Sequence, residues 1–277
     1  MQKISLLIAL LFSLTISNAQ VKLPAPSPTQ TIKQDFGIGS IEIVYSRPSV
    51  KGRTIFGGLE AFGKMWRTGA NRATKLTITE PIELSGKKLD TGSYAIYTIP
   101  NIDTWDIIIN KGFNNGGLDG YKESEDVLRF KVVPVKLKNR VETFTIQFDE
   151  VKPESCGITL MWDKTSVTIP VMANFRPKVK AQMEAALQSD KKPYWEAAQY
   201  YNEYEKNLPK ALEYATKAAE ANDKAFWIFL YKAKIQQEMG DKAGALASSQ
   251  RSLELATAAK NDAYVKMNQD LQKKLKK

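Results

Sequence analysis

Residues 158–171, Ile-Thr-Leu-Met-Trp-Asp-Lys-Thr-Ser-Val-Thr-Ile-Pro-Val, decide the fold of the first part of the chain. Ile158, Leu160 and Trp162 share one face, Val167, Ile169 and Val171 share another, and Asp163-Lys164 stands between them as a turn. A period of two marks strands that bury one side and wet the other. The same period runs through Phe144, Ile146 and Phe148, and through Ile41, Ile43 and Tyr45. Ala73–Thr79, Ser93–Ile99, Trp105–Asn110 and Val127–Val135 extend the set. Turn signals at Ser85-Gly86, Thr91-Gly92, Asn101–Asp103 and Asn114–Gly117 separate them. About eight to ten short strands with no helical pattern between them predict an antiparallel β-sandwich. It is expected over 31–173, after a leader at 20–30 that Pro24, Pro26 and Pro28 hold extended.

The pattern changes at Asn174–Pro177. Beyond it glycine nearly vanishes, and Ala, Lys, Glu, Leu and Gln favour helix. Pro177, Pro193 and Pro209 suit first turns, and Gly240-Asp241 reads as one helix's stop and the next one's N-cap. Six helices are expected, at 177–189, 193–206, 209–221, 224–239, 242–258 and 261–275. Ala211-Leu212-Glu213 and Ala245-Leu246-Ala247 lie 34 residues apart, with Trp195, Trp227 and Phe229 ahead of them. That period resembles the tetratricopeptide repeat, in degenerate form, since Asn202 and Gln236 stand where the repeat has Tyr. The expected fold is therefore α+β and multidomain: a sandwich followed by an all-α array of helical hairpins over 176–277. Such helix pairs stack against neighbours, either as a groove for a protein partner or as a prop for the sheets.

The first residues carry a targeting pattern. Met1-Gln2-Lys3 is positive, Ile4–Ile16 is apolar, and Ser17-Asn18-Ala19 has the small residues that a signal peptidase needs. A signal peptide over 1–19 is expected, leaving the protein exported to the periplasm or secreted with no transmembrane segment. Histidine is absent from all 277 residues, which excludes Ser-His-Asp and Cys-His catalysis and the usual zinc sites. Neither a cofactor nor a metal is expected. Acid–base chemistry is left to carboxylates, Lys and Tyr. Cys156 is the only cysteine, so no intramolecular disulfide forms and the core alone holds the fold.

The net charge is +10. Arg47–Lys75 alone carries seven basic residues and one acid, Glu60, a field that favours anions. In an exported chain the expected partner is an acidic glycan or another anion rather than nucleic acid. Within this segment Arg47–Asn71 is a long Gly-rich connection between strands, the kind of loop that binds or covers. Arg47, Arg53 and Arg67 offer planar forks for carboxylate, sulfate or phosphate. Lys51 adds charge, and Gly69-Ala70-Asn71 adds backbone amides. Trp66, with Phe56 and Phe62, either stacks on a sugar ring or caps the loop's own small core. The expected ligand-binding set is Arg47, Lys51, Arg53, Trp66, Arg67 and Asn71, unless the arginines tie down the loop itself. Asp119, Glu123, Glu125 and Asp126 match no defined calcium loop and read as solvated.

The blocks R-P-S-x-K-G-R-x-I-F-G (Arg47–Gly57), G-K-x-W-R-T-G-A-N (Gly63–Asn71), Lys88–Pro100 with its G-x-Y-x-I-x-x-I-P, and W-x-I-I-I-N (Trp105–Asn110) resemble an exported bacterial family. That family is known as domain of unknown function 2911. The resemblance covers about Pro26–Val171. It implies an exported β-rich domain, sometimes followed by helices, in Gram-negative bacteria with large surface-polymer repertoires. It implies no activity. The expected function is a periplasmic, non-enzymatic binding or scaffolding protein, with the basic loop for a ligand and the helices for a protein contact. The rival is an enzyme using carboxylates or Lys/Tyr on an envelope polymer.

Overall fold

The computed structural model describes residues 23–277. The signal peptide expected at 1–19 lies outside the described residues. The chain divides after Ala173 into two units, the first built of antiparallel sheets and the second of six helices.

Six strands form one sheet: β1 (Thr29–Phe36), β2 (Gly39–Ser46), β3 (Thr74–Ile78), then β4 and β5 (Ile82–Leu84, Lys87–Leu89) leave it, and β6 (Gly92–Ile99), β7 (Trp105–Asn110) and β8 (Asp126–Val132) complete it. Its order is β1-β2-β3-β6-β7-β8. The second sheet joins β4 and β5 to β9 (Val135–Asp149) and β10 (Ser155–Ala173) in the order β5-β4-β10-β9. All pairings are antiparallel.

The alternation read from the sequence orients both sheets. Ile41, Ile43 and Tyr45 of β2, Ile158, Leu160 and Trp162 of β10, and Phe144 and Ile146 of β9 are all buried. β10 also doubles back. The Thr159 and Thr168 hydroxyls lie 2.8 Å apart, whereas an extended strand would part residues nine apart by about 30 Å. The reversal falls at Asp163, at φ +52°, where the turn is expected. β1, β4 and β5 carry little sequence signal, being polar-alternating or three residues long. The run Val127–Val135 is broken at Val133-Pro134, because proline cannot donate to a ladder.

The helices are α1 (Arg176–Ala186), α2 (Tyr194–Glu203), α3 (Leu208–Ala221), α4 (Phe226–Glu238), α5 (Lys242–Ala258) and α6 (Asp262–Lys276). Asn207, Asp241 and Asn261 cap three of them, accepting from the amides of Lys210, Gly244 and Tyr264. From α2 onward each helix packs on the next in the chain, and α4 also meets α6. The crossings are lined by small residues, Ala197, Ala211, Ala215, Ala218, Ala233 and Ala245, all buried. Among the described residues no helix is long and apolar enough to cross a membrane.

Candidate functional site

The long connection between β2 and β3 is stitched into the sandwich along its length. Val50 N–H donates to Glu142 O (2.8 Å), and Phe144 N–H donates to Pro48 O (2.8 Å), so its first turn pairs with β9. Further on, Trp66 and Thr98 exchange both backbone hydrogen bonds (2.7 and 2.9 Å), extending β6. Between these anchors the chain sends Ile55, Phe56 and Trp66 inward. The Trp66 indole stacks on Trp162 at 5.6 Å and 19°, and meets Phe144 edge-on at 5.0 Å. Phe56 lies 4.6 Å from Trp105. Rings from both sheets and the loop thus close one end of the core.

This arrangement sets the surroundings of the six expected residues. Trp66 is 2 % exposed, and its Nε1–H donates to Gly69 O (3.0 Å). The ring is closed to a sugar in this arrangement, and of the two roles expected for it the burial fits capping the core. Arg47 donates from Nε to Phe144 O (3.0 Å) and from Nη2 to Thr145 Oγ1 (2.8 Å). Arg53 donates from Nε to Val50 O (3.0 Å) and from Nη2 to Ser49 O (2.6 Å). These two guanidinium groups therefore clamp the loop, and an anion there would compete with carbonyls and a hydroxyl already in place. Lys51 is exposed, at φ +47°, and its backbone N–H donates to Glu142 Oε1 (2.8 Å). Asn71, at φ +60°, donates its amide to Ser27 O (3.2 Å) and Ser46 Oγ (3.1 Å). Arg67 is half-buried. It packs against Gly117, where a Cβ would come within 2.8 Å of Arg67 Nη1. At φ +144° that position also suits glycine.

The loop's one acid is itself perturbed. Burial pushes the Glu60 carboxyl up to about 7, against the pull of Arg67 and Arg53. Near neutral pH it is only partly charged, so the loop's positive charge is less compensated than the sequence count implies.

Of the six, Asn71 borders a cavity of about 380 Å³ on the six-stranded sheet. Ser46, Arg72, Lys75, Phe113 and Asn114 line it as well, and its only charged lining side chains are Arg72 and Lys75. Lys75 projects outward because Thr74 and Leu76, its neighbours on β3, face the core. The β7–β8 loop supplies the opposite wall. It is fixed over the sheet by Asn115 Nδ2 donating to Tyr97 Oη (3.1 Å) and by Tyr97 Oη donating to Gly117 O (3.2 Å). Lys75 Nζ stands 5.0 Å over the Phe113 ring. Sequence reading placed Arg72 and Lys75 in the basic run but not in the site. In the sequence Asn114 is a turn signal, and no register links that turn to β3.

The carboxylates read as solvated are partly engaged: Asp126 accepts from Asn110 Nδ2 (2.8 Å), Tyr121 Oη (3.0 Å) and Arg129 Nη2 (3.1 Å). Among the described residues no cluster of three or more Cys, Asp or Glu is arranged to hold a metal. In the helical unit, α4 and α6 border an open cavity of about 610 Å³, lined by Lys234, Glu238, Met267, Asp270 and Lys274 among others.

A family model described as "Protein of unknown function (DUF2911)" matches residues 27–171. No curated protein and no solved structure matches the chain.

Proposed function

The chain belongs to the family described as protein of unknown function (DUF2911), and we propose that it is an exported, non-enzymatic binding protein that takes a carboxylate-bearing glycan. The ligand sits in the cavity between β3 and the β7–β8 loop. One observation carries the reading: a concave site of about 380 Å³ whose charged lining is cationic only, Arg72 and Lys75, with the amides Asn71 and Asn114 and the Phe113 ring beside them. Cations and amides recognise carboxylates and hydroxyls, and the Phe113 ring backs the Lys75 ammonium at 5.0 Å. The long β2–β3 loop serves as the frame that closes the core and delivers Asn71 and Arg72 to the cavity. The helical unit contributes the protein contact, through the face that α4 and α6 share.

Titration calorimetry with polygalacturonate, with uncharged dextran as the control, tests this. The wild type binds the acidic polymer, less tightly as salt rises. The Arg72→Ala, Lys75→Ala double variant keeps its melting temperature and loses at least about tenfold in affinity, roughly what a single charge-assisted contact contributes. A double variant that binds like the wild type overturns the assignment. Depolymerisation of the polymer in the same cell instead favours the carboxylate- or Lys/Tyr-dependent enzyme.

A further inference from the structure

We propose that the end of the sandwich bearing Phe62, Ile102, Val133 and Val135 seats on an anionic lipid bilayer, with its apolar tips inserted and Lys136 and Lys164 at headgroup level. This surface lies outside the Arg72–Lys75 cavity and does not depend on its ligand.

Three separate turns meet here. The β6–β7 connection carries Ile102, 74 % exposed. The β8–β9 connection carries Val133 at 68 %, and Val135 at the start of β9 is 60 % exposed. The β2–β3 loop adds Phe62 at 41 %. Phe62, Ile102, Pro134, Val135, Lys136 and Lys164 line one shallow cavity of about 310 Å³, which places these turns together. Leu23 apart, Ile102, Val133 and Val135 are the most exposed of the large apolar side chains described. Scattered exposed apolar residues are ordinary, but several converging on one rim mark an interaction surface.

The shape and charge of the rim select the occupant. Phe62, Ile102 and Val135 come from three separate segments around a shallow cavity, where a peptide would need a continuous groove wall. A bilayer needs no matching concavity, and it binds in proportion to inserted apolar area plus attraction between cations and anionic headgroups. The charged lining consists of Lys136 and Lys164, and Lys64 is exposed two residues beyond Phe62. Three acids lie nearby in sequence, one of them Glu60, half-buried two residues before Phe62. Asp163 is taken by Arg140 at 2.8 Å, leaving exposed Asp103 against three lysines. Each lysine near an anionic surface contributes about fivefold in partitioning.

The test is vesicle co-sedimentation of the chain from Gln20 onward, so that the apolar run Ile4–Ile16 cannot supply the affinity. Vesicles of phosphatidylcholine alone are compared with vesicles containing about a third phosphatidylglycerol, where a negative surface potential exists. The wild type is expected to sediment with the anionic vesicles at least tenfold better, and to be released by salt. Ile102→Asp, Val133→Asp should abolish sedimentation at unchanged melting temperature, since both side chains are solvent-exposed. Lys136→Ala, Lys164→Ala should weaken binding and flatten its salt dependence. Failure of the wild type to sediment with either vesicle overturns the proposal, as does a doubly substituted Ile102, Val133 variant that sediments normally. A dimer in analytical ultracentrifugation that the same variant dissociates would also overturn it and assign the rim to a second copy.

Discussion

Glu60 is the residue whose chemistry sets the charge of the β2–β3 loop. Burial raises its carboxyl to about 7 in the folded chain, while an unfolded glutamate titrates near 4.3. The folded state therefore holds the proton more tightly than the unfolded state. Its contribution is fully present below about pH 4 and is lost as pH rises through about 7. Replacing Glu60 with Gln should leave stability near pH 4.5 unchanged. Above pH 7 the variant should be more stable than the wild type by about 1–3 kcal/mol, below the full worth of such a shift because the half-buried carboxyl keeps some solvent screening. Urea melts of both proteins across that range check it. A wild type whose stability is flat between pH 5 and 8 would show that the carboxyl is solvated. At the same scale, Arg47 and Arg53 show what a sequence conceals. A guanidinium that bonds to a carbonyl and one that waits for a ligand are spelled identically, and only β9 and the loop backbone brought alongside distinguish them.

At the scale of elements, α5 and α6 are joined by a buried polar ladder. Asn268 is fully buried, donating to Ser252 Oγ (2.8 Å) and Tyr264 O (2.9 Å) and accepting from Ser249 Oγ (3.0 Å). Asn268→Ala removes three hydrogen bonds of a buried side chain, although Ser252 Oγ keeps the Phe226 carbonyl (2.7 Å), and should cost about 2–4 kcal/mol in the helical unit. The readout is helical ellipticity on melting, with the sandwich transition unmoved. The helices were the easiest elements to read, because caps and first-turn prolines are local: α3, α5 and α6 each start within a residue of expectation, behind Asn207, Asp241 and Asn261. The principal strands were readable for the same reason, since burial on one face writes a period of two. The three-residue strands β4 and β5 left too little pattern, and the polar alternation of β1 hid an edge strand. The cavity was less visible still. Its walls come from β3 and from a turn some forty residues later, and no local signal links Lys75 to Asn114.

At the scale of the molecule, each unit has a core of its own. Met183, Tyr200, Tyr201, Ala211 and Ala215 cluster within the helices, while the sheets bury their Ile, Phe and Trp rows. A fragment ending at Ala173 and one beginning at Asn174 should each melt cooperatively. Calorimetry of the separated fragments checks this; a helical fragment without a transition of its own would show that its core is incomplete. Reductant should not shift either transition, because Cys156 is a lone buried thiol, pushed up to about 11 by desolvation. Three of the five tryptophans, Trp66, Trp105 and Trp162, meet ring to ring at the end of the sandwich. Indoles stacked this closely share their electronic transitions, so Trp66 against Trp162 should imprint an exciton signature on the far-ultraviolet circular dichroism, where the strong indole transition lies. Unfolding of the sandwich should erase that signature, which gives the protein an optical gauge of how this end is packed without any added label.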